Sequence, residues 1–229
     1  MGERPEITNE VKELIAEFRK PEYDVCCLSD AMDKLGIQCG CFGIKAVVQG
    51  VKMAGSAFTL AYRPFGVDGG TVGDYIDDVN EDEIVVIDNN GRLDCTVWGD
   101  LLSVMATRRK VAGTVIDGVC RDVPKIRQLK YPVYSRDWFM VTGKDRVKLA
   151  SINEPVSIGN VEVCPGDILV GDDTGVVVIP LKRAGEVLEV AKGIAAAEAR
   201  IEEAIRQGKS LREARQQTGY HKLQSKTED

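Results

Sequence analysis

Apolar residues recur at helical spacing twice near the start of the chain. Ile7, Val11, Leu14, Ile15 and Phe18 share one face of residues 6–18, and Pro21 forbids continuation, so the pattern predicts an amphipathic N-terminal helix within residues 1–22. Val25, Leu28, Met32 and Leu35 repeat that spacing over residues 24–35, with Gly36 placed as the helix stop. From Ile44 onward the period shortens. Val47-Val48 and residues 53–62, 83–87 and 111–116 are short apolar or β-branched runs bounded by Gly, Asp and Asn, which predicts strands. Residues 99–109, carrying Leu101, Leu102, Val104, Met105 and Ala106, predict a helix that crosses between two of them. A further short helix over 124–129 and a strand over 133–135 continue the alternation, which defines an α/β domain with a substantial sheet.

The later stretch is richer in strands. Residues 155–163, 168–170 and 176–180 are separated by turns at Pro165-Gly166-Asp167 and Asp172-Asp173-Thr174-Gly175, the pattern of a small antiparallel or barrel-like element. A C-terminal helix follows over 181–207, with Ala184, Val187, Leu188, Ala191, Ile194, Ala195, Ile201 and Ile205 at helical spacing and Gly208 at its end. A short helical piece around 211–214 leads into a polar tail, so residues 208–229 are expected to fray unless a neighbouring subunit holds them. A chain of 229 residues can bury about 70% of the surface its unfolded form exposes, and one domain over 1–229 is expected.

Charge and cysteine content narrow the function classes. Thirty Lys and Arg stand against 36 Asp and Glu, a net charge of −6 without a basic block, so neither nucleic acid nor an anionic membrane is an expected partner. No run reaches the roughly 18 apolar residues of a membrane span, and a cytoplasmic protein is expected. The seven cysteines, Cys26, Cys27, Cys39, Cys41, Cys95, Cys120 and Cys164, are expected to be reduced thiols. Cys39-Gly40-Cys41 lacks a second Cys or His cluster, and the only histidine, His221, is far away, so a zinc site is not expected.

Unusual residues concentrate where two strands end, in Trp98-Gly99-Asp100-Leu101-Leu102-Ser103 and Asp117-Gly118-Val119-Cys120-Arg121-Asp122. In an open α/β sheet such ends gather into one crevice, where helix N-termini offer unpaired N–H groups to an anion. Arg121 supplies a fork of donors that suits a carboxylate, and the N–H groups of Leu101 and Leu102 suit the same anion. Asp122 is a hard oxygen ligand for magnesium or manganese, and Asp100 is placed to hold a water that moves protons. Each residue also has a plain alternative: a solvated Arg-Asp pair or cap, an N-cap at Asp100, a buried structural thiol at Cys120, and turn-forming roles for Asp167, Asp172 and Asp173. The residues nominate a crevice and leave its reaction open.

An Asp followed after twenty residues by Arg-Asp, here Asp100 and Arg121-Asp122, resembles the family that contains 4-hydroxy-4-methyl-2-oxoglutarate aldolase and the regulator of ribonuclease activity A. Supporting matches are Leu28-Ser29-Asp30-Ala31-Met32-Asp33-Lys34-Leu35-Gly36, Ala54-Gly55-Ser56-Ala57-Phe58-Thr59, and residues 165–180, and the likeness spans roughly residues 24–205. The resemblance implies a swivelling α/β/β/α domain like that of phosphohistidine proteins. It further implies a class II pyruvate aldolase that also decarboxylates oxaloacetate, assembled as homotrimers or hexamers with sites between subunits. By the same resemblance, Gly99, Asp100, Leu101 and Leu102 would bind substrate, with Arg121 on its carboxylate and ketone. Asp122 would ligate a divalent cation, magnesium or manganese, and Asp100 would act through a water. A glutamate from the adjacent subunit, Glu198 or Glu202, would complete the site. The alternative on the same scaffold is a non-catalytic regulator that binds a ribonuclease. Members of that branch tend to lack the second acidic residue of the pair, which Asp122 supplies here. The chain departs from the family at Asn80-Glu81-Asp82, where Pro-Gly-Asp is common, and in its tail from Gly208 onward.

Overall fold

The computed structural model describes residues 2–64 and 72–218, so the end of the expected tail, with His221, lies outside the described residues. The N-terminal helix α1 (Asn9–Phe18) begins at Thr8, whose side chain accepts from the Val11 N–H, and buries Val11, Ile15 and Phe18. Asp24 caps α2 (Val25–Lys34) by accepting from the Cys27 N–H. Gly36, at φ +68°, ends it: the Ile37 N–H reaches back to the Met32 carbonyl at 2.9 Å, a closure that needs a left-handed residue between them.

Among the described residues the sheet has eight strands. β1 (Lys45–Ala46), β2 (Met53–Pro64), β3 (Glu83–Asp88), β4 (Gly113–Cys120), β5 (Val133–Trp138), β6 (Val147–Ile152), β9 (Ile168–Asp172) and β10 (Gly175–Ile179) run in the order β1-β5-β4-β3-β2-β9-β10, with β6 also on β2. Strands β2 to β5 pair in parallel and carry α3 (Asp100–Arg108) and α4 (Val123–Leu129) between them, while β1, β6, β9 and β10 join antiparallel. Residues 39–46 nearly close the sheet into a barrel. Gly40 bridges Val177 of β10, and five residues later Lys45 pairs with Ser135 of β5. The short hairpin β7 (Val156–Ile158) and β8 (Val161–Val163) plugs the interior. The architecture is a mixed α/β fold with a barrel-like sheet and a C-terminal helix, α5 (Ala184–Arg206).

Strand alternation assigns each side chain to one of three cores. Ala57, Ile84, Val86, Val115, Leu169, Val176 and Val178 fill the barrel with the β7–β8 valines. Phe58, Leu60, Val85, Ile87 and Ile116 face outward under Trp98 and Ala106 at the α3 end. Ile168, Val170, Val177 and Ile179 face outward on the opposite side, beneath α1, α2 and α5.

Four details differ from the sequence pattern. Val47 and Val48 are buried but lie in a bend rather than a strand, since the chain must turn at Gly50 (φ +73°) to enter β2. Strand β6 was not expected. The first α5 turn is a 3-10 turn over Leu181–Arg183, and the last helix, α6 (Leu211–Thr218), extends past residue 214 into what reads as a polar tail. Among the described residues no helix is long and apolar enough to cross a membrane.

Candidate active site at the parallel-strand ends

The carboxyl ends of β4 and β5 and the start of α3 meet where the motif residues lie. Arg121 and Asp122 follow directly on β4, and the Arg121 N–H is tied to the Trp98 carbonyl at 3.0 Å. Asp122 takes a left-handed conformation (φ +58°) at the N-cap of α4, yet its side chain makes no capping bond there. Its Oδ2 instead accepts the Asp100 N–H, the first of α3, at 3.1 Å. Asp122 is one of several non-glycine residues at positive φ, a region that aspartate tolerates, and its side chain turns from its own helix to another.

Gly99, the N-cap of α3, makes the approach possible. A Cβ there would stand 2.7 Å from Asp122 Oδ2 and 3.3 Å from Arg121 Nε, so any side chain would push the pair away. Arg121 Nε lies 3.4 Å from Asp122 Oδ2, with both side chains about 40% exposed. The Asp100 carboxylate accepts the Leu101 N–H at 2.7 Å through Oδ1. Asp100 is thus the first residue of α3 rather than its N-cap. Among the described residues Asp122 Oδ1 and Asp100 Oδ2 have no protein partner, and the α3 dipole favours negative charge at this end.

Two clefts share Arg121. One, of about 360 Å³, is lined by Gly99, Asp100, Leu101 and Leu102 together with Thr142 and Lys144. The other, of about 540 Å³, contains Asp122, Arg127, Trp138, Phe139 and Met140, with the Arg127 guanidinium 5.6 Å above the Trp138 ring. The structure therefore brings Gly99, Asp100, Leu101, Leu102, Arg121 and Asp122 together. Glu198 and Glu202 stand elsewhere, in a cleft between α5, α6 and the loop that joins α1 to α2. Burial first, then Asp24 and Asp30, raise the Glu198 carboxyl above its usual range, and Glu202 pairs with Arg206. Sequence reading missed the wall formed by residues 138–144, which carries no motif. The signal for it was topological: β5 is the parallel neighbour of β4, so its end opens on the same crevice.

Cys120 is core, not nucleophile. Burial pushes its thiol up to about 11, against the opposing effect of its contact with the Ser135 hydroxyl. Among the described residues no three His, Cys, Asp or Glu side chains converge at metal-ligand spacing, which leaves no all-protein cage there. The donor chemistry of Asp122, a half-exposed carboxylate with an oxygen to spare, fits a magnesium-like cation, which takes one or two carboxylates and keeps most of its waters.

The chain is thus a mixed α/β protein with a nearly closed sheet and an Arg-Asp pair across from a helix N-terminus. The family model described as RraA-like, Aldolase/RraA, matches residues 25–178, and the chain belongs to that family. It is 44% identical over 196 residues to the protein DlpA of Legionella pneumophila, a match that covers 84% of this chain and 32% of DlpA, so the chain spans about a third of that relative's length. It is 32% identical to a protein of Halalkalibacterium halodurans named as a candidate 4-hydroxy-4-methyl-2-oxoglutarate aldolase, covering 79% of this chain and 82% of that one. Among solved structures it is similar to Streptomyces coelicolor RraAS2, described as an unusual member of the RNase ES inhibitor RraA protein family. That match has a TM-score of 0.74 and 25% identity, and covers 91% of this chain and all of the other. Relatives in this comparison thus carry names of two kinds, candidate aldolase and RNase ES inhibitor family member.

Proposed function

We propose that the chain is a divalent-metal-dependent carbon–carbon lyase that cleaves 4-hydroxy-4-methyl-2-oxoglutarate-type 2-oxo acids to pyruvate and decarboxylates oxaloacetate. The observation that carries this reading is the Asp122 carboxylate turned from its own helix onto the first N–H of α3, which gathers Asp122, Asp100 and Arg121 around one opening. Arg121 binds the substrate carboxylate and the neighbouring ketone oxygen with its fork of donors, and the first-turn N–H of Leu102 holds the same anion, joined by that of Leu101 when the substrate displaces the Asp100 Oδ1 that accepts it in this structure. Asp122 holds a magnesium or manganese ion, which when bound supplies Lewis-acid polarisation of the 2-oxo group. Asp100 moves a proton between substrate and solvent through a water. Enolate charge develops mainly in the transition state, so Arg121 and the α3 dipole act on kcat more than on binding. Aldol cleavage and oxaloacetate decarboxylation break different bonds but leave the same pyruvate enolate, which is why one site serves both.

The test is pyruvate release, coupled to a dehydrogenase, from 4-hydroxy-4-methyl-2-oxoglutarate and from oxaloacetate, with magnesium or manganese and with chelator. Wild type should release pyruvate only with metal, and Asp122→Ala should lose about 1,000-fold or more in kcat/KM while its circular dichroism is unchanged. No metal-dependent release from either substrate by the wild type would overturn the lyase and favour a protein-binding regulator, for which Asp122 and metal are irrelevant.

The assembly that goes with this reading is a homotrimer or hexamer in which Glu198 or Glu202 of one copy reaches the cleft of the next. Leu101, Trp138 and Met140, 79%, 53% and 75% exposed beside the two clefts, support a partner surface there. Sedimentation at micromolar concentration should show a trimer or larger. A clean monomer that turns over substrate would rule the shared site out.

A further inference from the structure

Arg121 and Asp122 follow a few residues after an irregularity in β4. Up to Ile116, paired with Ser135, the strand runs in register with β5; the next pair is Val119 with Asp137, so β4 advances three residues while β5 advances two. One extra residue is accommodated at Asp117-Gly118, a β-bulge, and bulges of this kind bend a strand and re-aim the side chains that follow. At the same point β4 changes its other neighbour: Asp117 still pairs with Asp88 of β3, but Val119 bridges Thr96.

A buried polar network holds this bulge. The Asp117 carbonyl accepts two N–H groups, from Asn89 and Gly91, each at 3.1 Å. The Asp117 carboxylate, on a residue only 6% exposed, is held by both Nε and Nη2 of Arg136, the latter at 3.1 Å from Oδ2. Its Oδ2 also accepts the Gly159 N–H, at the turn of the β7–β8 hairpin, at 2.8 Å. Gly118 packs against Asn89, whose Cβ would lie 3.0 Å from any Cβ built there. Both oxygens of the Asp117 carboxylate and its carbonyl are matched, while the neighbouring Asn89 Oδ1 is buried without a partner among the described residues; a bidentate Arg-carboxylate pair of this kind fixes geometry as well as energy.

We infer that Asp117, locked by Arg136, is the positioning residue of the site: it sets the bulge in β4 that turns Arg121 and Asp122 toward the start of α3. It touches no substrate and acts through the strand. The kinetic side of this inference rests on the proposed lyase reading, whereas its structural side does not. A pair that merely anchored the β7–β8 hairpin would lower stability and leave the geometry beyond Val119 alone.

The experiment compares wild type, Asp117→Asn and Arg136→Ala by amide hydrogen exchange and by pyruvate release in saturating metal. If positioning is the role, protection should fall by tenfold or more at the Asp100, Arg121 and Phe139 amides, which bond to Asp122 Oδ2 and to the Trp98 and Cys120 carbonyls. The Thr114 amide, which bonds to Pro132 before the bulge, should keep its protection. Turnover should fall mainly in kcat, by about 100-fold, the scale of an ångström-sized misplacement of a reacting group. Should Asp117→Asn fail to fold, Arg136→Ala decides, since its side chain is 28% exposed and its loss leaves the Gly159 bond in place. Unchanged exchange at Arg121 and Phe139, or an equal loss at Thr114, would overturn the inference whatever the turnover. A wild type that releases no pyruvate defeats the lyase reading, and the exchange result still decides this one.

Discussion

Two groups of aspartates, at opposite ends of the barrel-like sheet, have the same chemistry and opposite uses. At the two ends of β9, Asp167 and Asp172 have both carboxylate oxygens taken by backbone. Asp167 accepts from Cys164 and Leu181 at 2.8 and 3.0 Å, and Asp172 accepts from Val25 and Thr174 at 2.9 and 2.8 Å. At the α3 end Asp100 and Asp122 each accept one N–H and keep one oxygen without a protein partner among the described residues. A carboxylate whose lone pairs are taken up by the backbone holds a turn together. One left half-satisfied and half-exposed is available to a cation, a water or a substrate. Proximity to a turn or helix start does not separate the two groups, because Asp122 also stands at an N-cap; the count of remaining acceptor sites does.

The sharpest break of that comparison is the loss of turnover with retained fold expected for Asp122→Ala. The next in size is Gly99→Ala. The backbone there is extended, at φ −155°, so alanine costs no conformational strain and only the 2.7 Å contact with Asp122 Oδ2 matters. We expect kcat/KM to fall by about 10- to 100-fold, as for a small misplacement of a catalytic group, with the melting temperature within about 3 °C of wild type. Wild-type kinetics in this variant would show that the Asp122 carboxylate need not sit against α3.

Local signals were legible where a residue determines its own surroundings. Asp24 and Gly36 mark the ends of α2 because a side-chain oxygen and a left-handed backbone are intrinsic properties. The spacing of Asp100 from Arg121-Asp122 singled out residues that the fold does gather. What stayed hidden depends on partners distant in sequence. β6 exists because β2 is twelve residues long and outruns β9: its first four residues, Met53 to Ser56, pair with β9, and its last five, from Leu60 onward, are open to Val147–Ile152. Val47 is buried like a strand residue and donates to the Val133 carbonyl, but Gly50 turns the chain before a ladder can form. The wall at Trp138, Met140, Thr142 and Lys144 joins the site through the parallel pairing of β4 and β5, which no short stretch of sequence encodes.

Asp167 offers the smallest effect and the finest test of the contrast between the two groups. Burial raises its carboxyl above the usual 3.8, while the bonds from Leu181 and Cys164 pull it down by less. A folded chain that binds this proton more tightly than the unfolded chain gains stability from the group in acid, below 3.8, and loses that gain as pH rises through the raised folded value. Asp167→Asn cannot titrate, and the other carboxylates are common to both proteins. The unfolding free energy of wild type minus that of Asp167→Asn should therefore decrease as pH rises from below 3.8, in urea titrations at matched ionic strength. A difference that grows instead would mean that the two backbone donors outweigh burial and that saturation by N–H groups stabilises the charged form.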